Sequence, residues 1–251
     1  MKYGICNLSI VPLRAEASDS SELVTQVLYG ELFKVLESRK KWSRIRLAFD
    51  GYEAWIDNKQ FLFIEQDKYK HLSKQTPIVS EDLVDMVSTK DKQILSIVLG
   101  SSLNALDLLN HEFEGSRTQE KFAKDNLIST ALLYLNTPYL WGGKTPFGID
   151  CSGFTQMVYK VNGYALKRDA SQQVEQGEAL SFIEESEPGD LAFFDNTEGD
   201  ITHVGIIMKD NYIIHAHGKV RIDRLDHTGI FNMQSNTHTH ALRVIKRIIK
   251  L

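Results

Sequence analysis

The chain has 251 residues, of which 42% are hydrophobic and 25% are charged, as is ordinary for globular domains. This length accommodates one large domain or two to three small ones. The formal net charge of −4 argues against a nucleic-acid-binding protein, and the chain contains no apolar run of the roughly 18–20 residues that a membrane-spanning helix needs.

The N-terminus has no apolar core of signal-peptide length, because polar residues interrupt MKYGICNLSIVPLRAEASDSSE. We therefore expect a cytoplasmic protein, or a secreted or periplasmic one if the native N-terminus is missing.

Residues 1–65 then give short alternating patterns: LVTQVLYG, ELFKVLES, WSRIRLAF and YEAWID. With a tight turn at Asp50-Gly51, these strands predict a small β-barrel.

Residues 66–117 give a weaker pattern. DLVDMVSTKDKQILSIVLG is typical of a hairpin that turns at Thr89–Asp91, whereas SSLNALDLLNHEFEG fits a strand or a helix. Two interpretations stay open for this segment, a packed linker and a second, degenerate β-barrel, of which we favour the barrel.

Residues 118–251 change to helices followed by strands. TQEKFAKDNLISTALLYLN has apolar residues near helical spacing and is expected to end at Pro138, and SGFTQMVYKVNG predicts a second helix that ends at Gly163. The segments after Asp190 read as strands: LAFFD, HVGIIMK, NYIIHAHG, KVRIDRL and ALRVIKRIIKL. Helices first and an antiparallel sheet second predict an α+β fold. We expect His238 and His240 to lie in a turn before the last strand, without a functional role.

Cys151, one of two cysteines, lies between a glycine- and aromatic-rich loop and the second predicted helix. The partial positive charge of a helix N-terminus lowers the pKa of a thiol, and a thiolate nucleophile needs a base. His203 begins one predicted strand and His215 lies in the next one. The two side chains can therefore lie side by side, with His215 orienting His203. A cysteine in this position is more often structural, and both readings stay open on spacing alone. Cys6 falls in an apolar strand and is interpreted as structural.

The motifs of this half resemble the NlpC/P60 family of papain-like cysteine peptidases. The stretches that carry the resemblance are, in order, NTPYLWGGKTPFGIDCSGFTQMVYK, RDASQQ, EPGDLAFFD, HVGIIM and YIIHAHG. The resemblance covers residues 118–251, and residues 1–65 resemble a bacterial SH3 domain. It implies a papain-like catalytic domain of α+β class, preceded by one SH3-like barrel or by two if residues 66–117 form a second, degenerate one.

The resemblance implies a role for each residue of the reacting group. Cys151 attacks the peptide carbonyl, His203 takes the thiol proton and later gives one to the leaving amine, and His215 orients His203. Tyr139 resembles the family tyrosine whose hydroxyl helps the backbone N–H of Cys151 to bind the oxyanion. The family often has a serine where this chain has His217, which makes His217 a second candidate for the orienting role.

Further residues match positions that line the substrate cleft of the family: Trp141, Asp150, Ser152 and Ser171. For Trp141, packing in the core is an equal alternative. A carboxylate beside the thiol would raise its pKa, so we expect the Asp150 side chain to point away from Cys151 into the cleft.

A subgroup that the chain also resembles, the γ-D-glutamyl-L-diamino acid endopeptidases, cuts released murein peptides that have a free N-terminal L-Ala. In that subgroup the SH3-like domain closes the cleft, and anionic groups bind the amine. The implied partner is L-Ala-γ-D-Glu-diamino acid, with no metal, organic cofactor, nucleic acid or membrane, and a monomer is expected. Candidates for binding the amine are Asp150, Tyr52 and Glu16. The alternative is a secreted hydrolase of intact peptidoglycan whose SH3-like domain binds the wall.

Overall fold

The computed structural model describes residues 2–250. The chain divides into two compact units. The first runs to Glu120 and includes the segment Trp141–Pro146, and the second comprises Lys121–Leu140 and the chain from Phe147 onward. Among the described residues, no helix combines the length and apolar character that crossing a membrane requires.

The N-terminal part of the first unit is an antiparallel sheet with the strand order β3-β2-β6-β5-β4-β1-β7. Its strands are β1 (Lys2–Ile5), β2 (Ile10–Arg14), β3 (Leu23–Leu28), β4 (Leu32–Ser38), β5 (Trp42–Leu47), β6 (Glu53–Asp57) and β7 (Leu62–Ile64). Alternate residues of these strands fill one core, which includes Val11, Leu13, Val27, Phe33, Ile45 and Ile56. The predicted turn at Asp50-Gly51 is present, with Gly51 at φ +78°. These features confirm a small β domain in this part of the chain.

The rest of the first unit packs around this sheet. Its elements are α1 (Gln66–Leu72), β8 (Val79–Ser80), β9 (Val84–Thr89), β10 (Ile94–Val98), α2 (Leu106–Leu109), β11 (His111–Glu112), β12 (Arg117–Thr118) and β13 (Lys144–Thr145). Tyr69 of α1 stacks on Tyr3 of β1 with 4.3 Å between ring centroids. Strands β9 and β10 form the expected hairpin. The interpretation of residues 66–117 as a second, degenerate SH3-like domain stays a prediction.

The second unit contains the longest sheet strands. Its elements are α3 (Asn126–Leu133), β14 (Gly148–Ile149), α4 (Cys151–Val161), α5 (Ala170–Gln173), β15 (Glu178–Leu180), β16 (Leu191–Asp195), β17 (Ile201–Ile207), β18 (Tyr212–His217), β19 (Lys219–Leu225), β20 (Gly229–Asn232) and β21 (Thr237–Arg247). The antiparallel sheet has the order β15-β21-β16-β17-β18-β19-β20, and β20 also pairs with β21. Helix α4 is buried along its whole length and packs against β17, β18 and α3.

Helix α3 is shorter than the sequence pattern predicts. It begins at Asn126. Lys124 just before it is held in place, with its Nζ 2.6 Å from Oδ1 of the buried Asp190 and 2.9 Å from Oε2 of the partly exposed Glu187. It ends at Leu133, well before Pro138. Asn136 there takes φ +71°, and its N–H donates to the carbonyl of Val220, which ends the helix before the proline can.

Candidate active site

Cys151 is the first residue of helix α4. The side chain of Asp150 caps this helix, since the N–H of Gly153 donates to Asp150 Oδ1 at 2.6 Å. Cys151 is only 6% exposed. The cap explains why a buried helix begins at this cysteine and not in the glycine-rich loop before it.

Burial sets the charge state of the Cys151 thiol. Loss of water raises the pKa of Cys151 to about 12, and the negative charge of Asp150 also raises it. Backbone hydrogen bonds with Val204 and Ser152 and the positive charge of Arg168 lower the pKa but do not outweigh burial. The expectation that the helix N-terminus leaves this thiol with a lowered pKa is therefore wrong, since burial outweighs the effect of the helix. A protonated thiol needs a base at the moment of reaction.

The carboxylate of Asp150 is committed to Arg168. Arg168 Nη2 donates to Asp150 Oδ2 at 2.6 Å and Arg168 Nη1 donates to Oδ1 at 3.0 Å, with the arginine 1% exposed. The same Nη1 donates to the hydroxyl of Ser152 at 3.0 Å. The Asp150 side chain caps the helix and pairs with a buried guanidinium, and its charge still contributes to the raised pKa of Cys151. That Asp150 points away from Cys151 into the cleft stays a prediction. Arg168 was not assigned from the sequence, although the RDASQQ stretch that contains it could have signalled it.

His203 and His215 lie side by side on the sheet, as predicted from the strand pattern. Strands β17 and β18 pair Gly205 with His215, and His203 shares a face with Gly205 two residues along. A hydrogen bond of 2.8 Å joins His203 Nε2 to His215 Nδ1, and both side chains are buried. Burial lowers the pKa of both imidazoles, that of His203 well below its ordinary value, and each neighbouring imidazole adds to this effect at His203. Both rings are therefore neutral at neutral pH.

The Cys151 thiol reaches the strand that carries His203. One of its backbone hydrogen bonds is with Val204, the residue that follows His203, and α4 packs against β17. The structure thus brings the thiol, one imidazole and the second imidazole to one place in the second unit.

Beyond His215 the hydrogen-bonded line continues to a carboxylate that sequence reasoning missed. His215 Nε2 is 3.0 Å from Asp223 Oδ2, and Asp223 also accepts from Arg221 Nε at 2.6 Å. Burial alone would raise the pKa of Asp223, but hydrogen bonds from His215 and Arg221 outweigh it and hold the pKa at about 2. The alternation in KVRIDRL puts Arg221 and Asp223 on one face of a strand, and this pattern could have indicated the pair from the sequence.

His240 and His217 complete a cluster of imidazoles. The ring of His240 stacks on that of His203, with 4.2 Å between centroids, and the ring of His217 meets His240 edge-on at 4.8 Å. The expectation that His240 lies in a turn is wrong, because β21 already begins at Thr237 and pairs His240 with Ile230 of β20. The residue hydrogen-bonded to His203 is His215, not His217.

The other expected residues of the second unit are placed as follows. Tyr139 is half-buried, and the charges of Cys151 and Asp150 are near enough to add to burial in raising the pKa of its phenol. Ser152 is buried, with its hydroxyl held by Arg168. Ser171 is exposed in the short helix α5.

The remaining expected residues belong to the first unit. Trp141 is 60% exposed and its Nε1 donates to Glu22 Oε1 at 2.5 Å, so the alternative of core packing is wrong. Tyr52 packs half-buried against the core of the small β domain. Glu16 is exposed in a tight loop, where its N–H donates to Ser21 Oγ at 3.0 Å. That Tyr52 and Glu16 bind a substrate amine stays a prediction. Within residues 2–250, no group of three or more His, Cys, Asp or Glu side chains is arranged to hold a metal ion.

Comparison with known proteins gives two matches to family models. Residues 136–240 match the NlpC/P60 family, and residues 13–61 match the bacterial dipeptidyl-peptidase Sh3 domain. The first range contains Cys151, His203 and His215.

The chain covers most of the length of two curated relatives. The chain is 28% identical over 248 residues to dipeptidyl-peptidase 6 of Lysinibacillus sphaericus, covering 85% of this chain and 88% of that protein. It is 28% identical over 216 residues to gamma-D-glutamyl-L-lysine dipeptidyl-peptidase of Bacillus subtilis, covering 76% and 71%. The crystal structure of an NlpC/P60 family protein from Bacillus cereus matches 99% of this chain and 100% of that chain, with a TM-score of 0.77 and 20% identity, which shows a shared fold.

Proposed function

We propose that this chain, a peptidase of the NlpC/P60 family, hydrolyses the bond between γ-D-glutamate and the diamino acid in murein peptides that have a free N-terminal L-Ala. One observation carries the mechanistic part of the proposal. It is the hydrogen-bonded line from His203 through His215 to Asp223, which starts on the strand against which the buried thiol of Cys151 lies. The substrate class is supported by the name of the Bacillus subtilis relative.

In the first half of the reaction, the sulfur of Cys151 attacks the γ-carbonyl carbon of D-glutamate. Because the pKa of the free thiol is raised to about 12, the proton leaves the sulfur as the new bond forms, and His203 receives it at the ring nitrogen not bonded to His215. The lowered pKa of His203 keeps that ring neutral and able to accept the proton at neutral pH.

The carbonyl oxygen gains a negative charge in the tetrahedral intermediate. The hydroxyl of Tyr139 and the backbone N–H of Cys151 donate hydrogen bonds to it. When the intermediate collapses, the C–N bond breaks and the imidazolium of His203 gives its proton to the amine of the diamino acid. This leaves a thioester between Cys151 and the L-Ala-γ-D-Glu acyl group.

In the second half, water replaces the amine. His203 takes a proton from the water as its oxygen attacks the thioester carbonyl, and returns that proton to the sulfur when the C–S bond breaks. L-Ala-D-Glu is released and the thiol is regenerated. Asp150, Tyr52 and Glu16 are our sequence-based candidates for binding the L-Ala ammonium. Asp150 is already neutralised by Arg168, which leaves Tyr52 and Glu16.

The experiment compares three substrates: L-Ala-γ-D-Glu-diaminopimelate with a free amine, the same peptide with an acetylated amine, and intact peptidoglycan. The proposal predicts cleavage of the free-amine peptide alone, at the γ-D-Glu bond. Equal or better cleavage of the acetylated peptide and the polymer would instead indicate a hydrolase of the intact wall. Replacing diaminopimelate by lysine in the free-amine peptide then shows which diamino acid is preferred.

Fractionation of cells that carry a C-terminally tagged chain tests our proposal that the enzyme recycles released peptides in the cytoplasm.

A further inference from the structure

Asp223 is a buried carboxylate with several partners but only one link to the reacting residues. It is fully buried, and besides His215 it accepts hydrogen bonds from Arg221 Nε at 2.6 Å, Arg221 Nη2 at 3.0 Å and the N–H of Met233 at 3.0 Å. Arg221 is itself fixed by donating from Nη2 to Asn232 Oδ1 at 2.9 Å. Asp223 is thereby held ionised and in one orientation, and an ionised carboxylate only accepts hydrogen bonds.

The acceptor character of Asp223 decides the tautomer of His215. Because Asp223 Oδ2 cannot donate, the hydrogen bond of 3.0 Å requires His215 Nε2 to carry the proton. In a neutral imidazole the other nitrogen is then bare, so His215 Nδ1 is an acceptor.

The tautomer of His215 in turn decides that of His203. Since His215 Nδ1 accepts, the hydrogen bond of 2.8 Å requires His203 Nε2 to donate. Neutral His203 therefore keeps its proton on Nε2 and its lone pair on Nδ1. A base with the opposite tautomer would meet the thiol of Cys151 with an N–H and could not take its proton.

We propose that Asp223 is a positioning residue that sets, through His215, which nitrogen of His203 is bare and so able to take the proton of Cys151. The inference rests on the proposed function in that it takes Cys151 and His203 as the reacting pair. Asp223 keeps its negative charge throughout, and the proton on His203 Nε2 does not move. The thiol proton goes to His203 Nδ1, and the resulting imidazolium stays hydrogen-bonded through His215 to the carboxylate.

The direct test is nitrogen-15 NMR of the imidazole rings of the wild-type chain at neutral pH, without substrate. Ring signals are assigned with single His→Gln variants. The proposal predicts that His215 is protonated at Nε2 and bare at Nδ1. A His215 protonated at Nδ1 and bare at Nε2 would overturn it. Because no substrate is present, this result does not depend on which peptide the enzyme cleaves.

The second test is the isosteric variant Asp223→Asn. With its oxygen at the Oδ1 position, towards Arg221 Nη2 and the N–H of Met233, the new side chain puts its amide nitrogen where Oδ2 accepted from His215 Nε2 and Arg221 Nε. Arg221 Nε then loses its acceptor, and the amide N–H offered to His215 Nε2 reverses each proton along the line, so that His203 Nδ1 becomes protonated. A wrong tautomer at the base lowers kcat by about 10³- to 10⁴-fold, with little change in KM. The NMR signal of His215 should move from the Nε2–H to the Nδ1–H form.

The matched control is Asp226→Asn. Asp226 also bonds a histidine, with His238 Nε2 2.9 Å from its Oδ2, but this exposed pair has no link to His203. We expect the control to keep the wild-type kcat and tautomers.

If Asp223→Asn folds and keeps kcat, or loses it with the His215 tautomer unchanged, the positioning role is refuted. If Asp223→Asn does not fold, the wild-type NMR measurement alone decides. Failure of the wild-type enzyme to cleave any murein peptide would refute the proposed function but not the tautomer order.

Discussion

The imidazole of His240 stacks on the imidazole of His203, with 4.2 Å between ring centroids and 26° between ring planes. His203 is thus held on one side by a flat ring and at its Nε2 edge by His215. Stacking limits rotation of the ring about χ2, and the hydrogen bond fixes the rotation that remains. The two contacts together keep the other ring nitrogen directed to one place.

His240 therefore tests whether the packing of the base matters for the reaction. We expect His240→Ala to lower kcat on the free-amine tripeptide about tenfold, because the His203 ring gains room to turn away from the thiol. His240→Phe keeps a flat ring and should retain most of the activity. His238→Ala, on the same strand but paired with Asp226 at the surface, is the control that should behave as wild type. Equal activity of His240→Ala and wild type would show that the stacking is without consequence.

The hydroxyl of Tyr139 is predicted to matter only in the transition state. We expect Tyr139→Phe to lower kcat about 10²- to 10³-fold with KM nearly unchanged, since one donor to the oxyanion is lost. Tyr134→Phe is a matched control in the same unit: in the described part of the chain its buried hydroxyl has no hydrogen-bond partner, so its removal should leave activity intact and stability equal or higher. Steady-state kinetics and thermal unfolding measure both. A rise in KM without a fall in kcat for Tyr139→Phe would assign it to substrate binding instead.

Arg168 is predicted to stabilise the fold around the helix that begins at Cys151. Arg168→Leu leaves the buried carboxylate of Asp150 without its guanidinium partner, which typically costs about 3–5 kcal/mol in the free energy of unfolding. Arg243→Leu removes an exposed arginine 3.7 Å from Asp195 and should change it by less than about 1 kcal/mol. Urea denaturation followed by far-ultraviolet circular dichroism measures the difference. If both variants unfold at the same urea concentration, the Asp150–Arg168 pair does not support the helix that begins at Cys151.

The raised pKa of Cys151 gives a pH dependence with a definite sign. A thiol whose pKa lies above its ordinary value has less thiolate at any given pH, so alkylation by iodoacetamide should be slow at neutral pH. The rate should rise with pH across pH 5–9 without a plateau, because the pKa of about 12 lies above that range. Alkylation of the peptide that contains residue 151 is followed by mass spectrometry in the Cys6→Ala variant. A pH-independent rate in the acid range would instead reveal a thiolate–imidazolium pair in the free enzyme.

Local sequence patterns were sufficient to predict some of the site. The pairing of His203 with His215 followed from alternation in two adjacent strands, since residues two apart share a face and neighbouring antiparallel strands lie close together. The helix that begins at Cys151 was predicted from Ser152 onward by its apolar periodicity. These predictions succeeded because each depends on residues near one another in the sequence. The reacting roles of these residues stay a proposal.

Other parts of the site depend on partners far away in the chain. Asp150 was expected to be an available anion, because nothing in DCSGF indicates that Arg168 folds onto it. His240 was assigned to a turn because the point at which β21 begins is set by pairing with β20 and β16, not by its own residues. The thiol pKa was expected to fall because a helix N-terminus can be read from the sequence, whereas the depth of burial cannot.

The most direct test of the account compares Cys151→Ala with Cys6→Ala on the free-amine tripeptide. Both cysteines are buried, and Cys6 Sγ donates to the carbonyl of Leu8 at 3.3 Å within the first unit. The account predicts that Cys151→Ala folds and has no measurable cleavage of the γ-D-Glu bond, while Cys6→Ala, if folded, keeps the wild-type kcat. Cleavage by a folded Cys151→Ala at a rate near that of the wild type would contradict the claim that this thiol is the nucleophile.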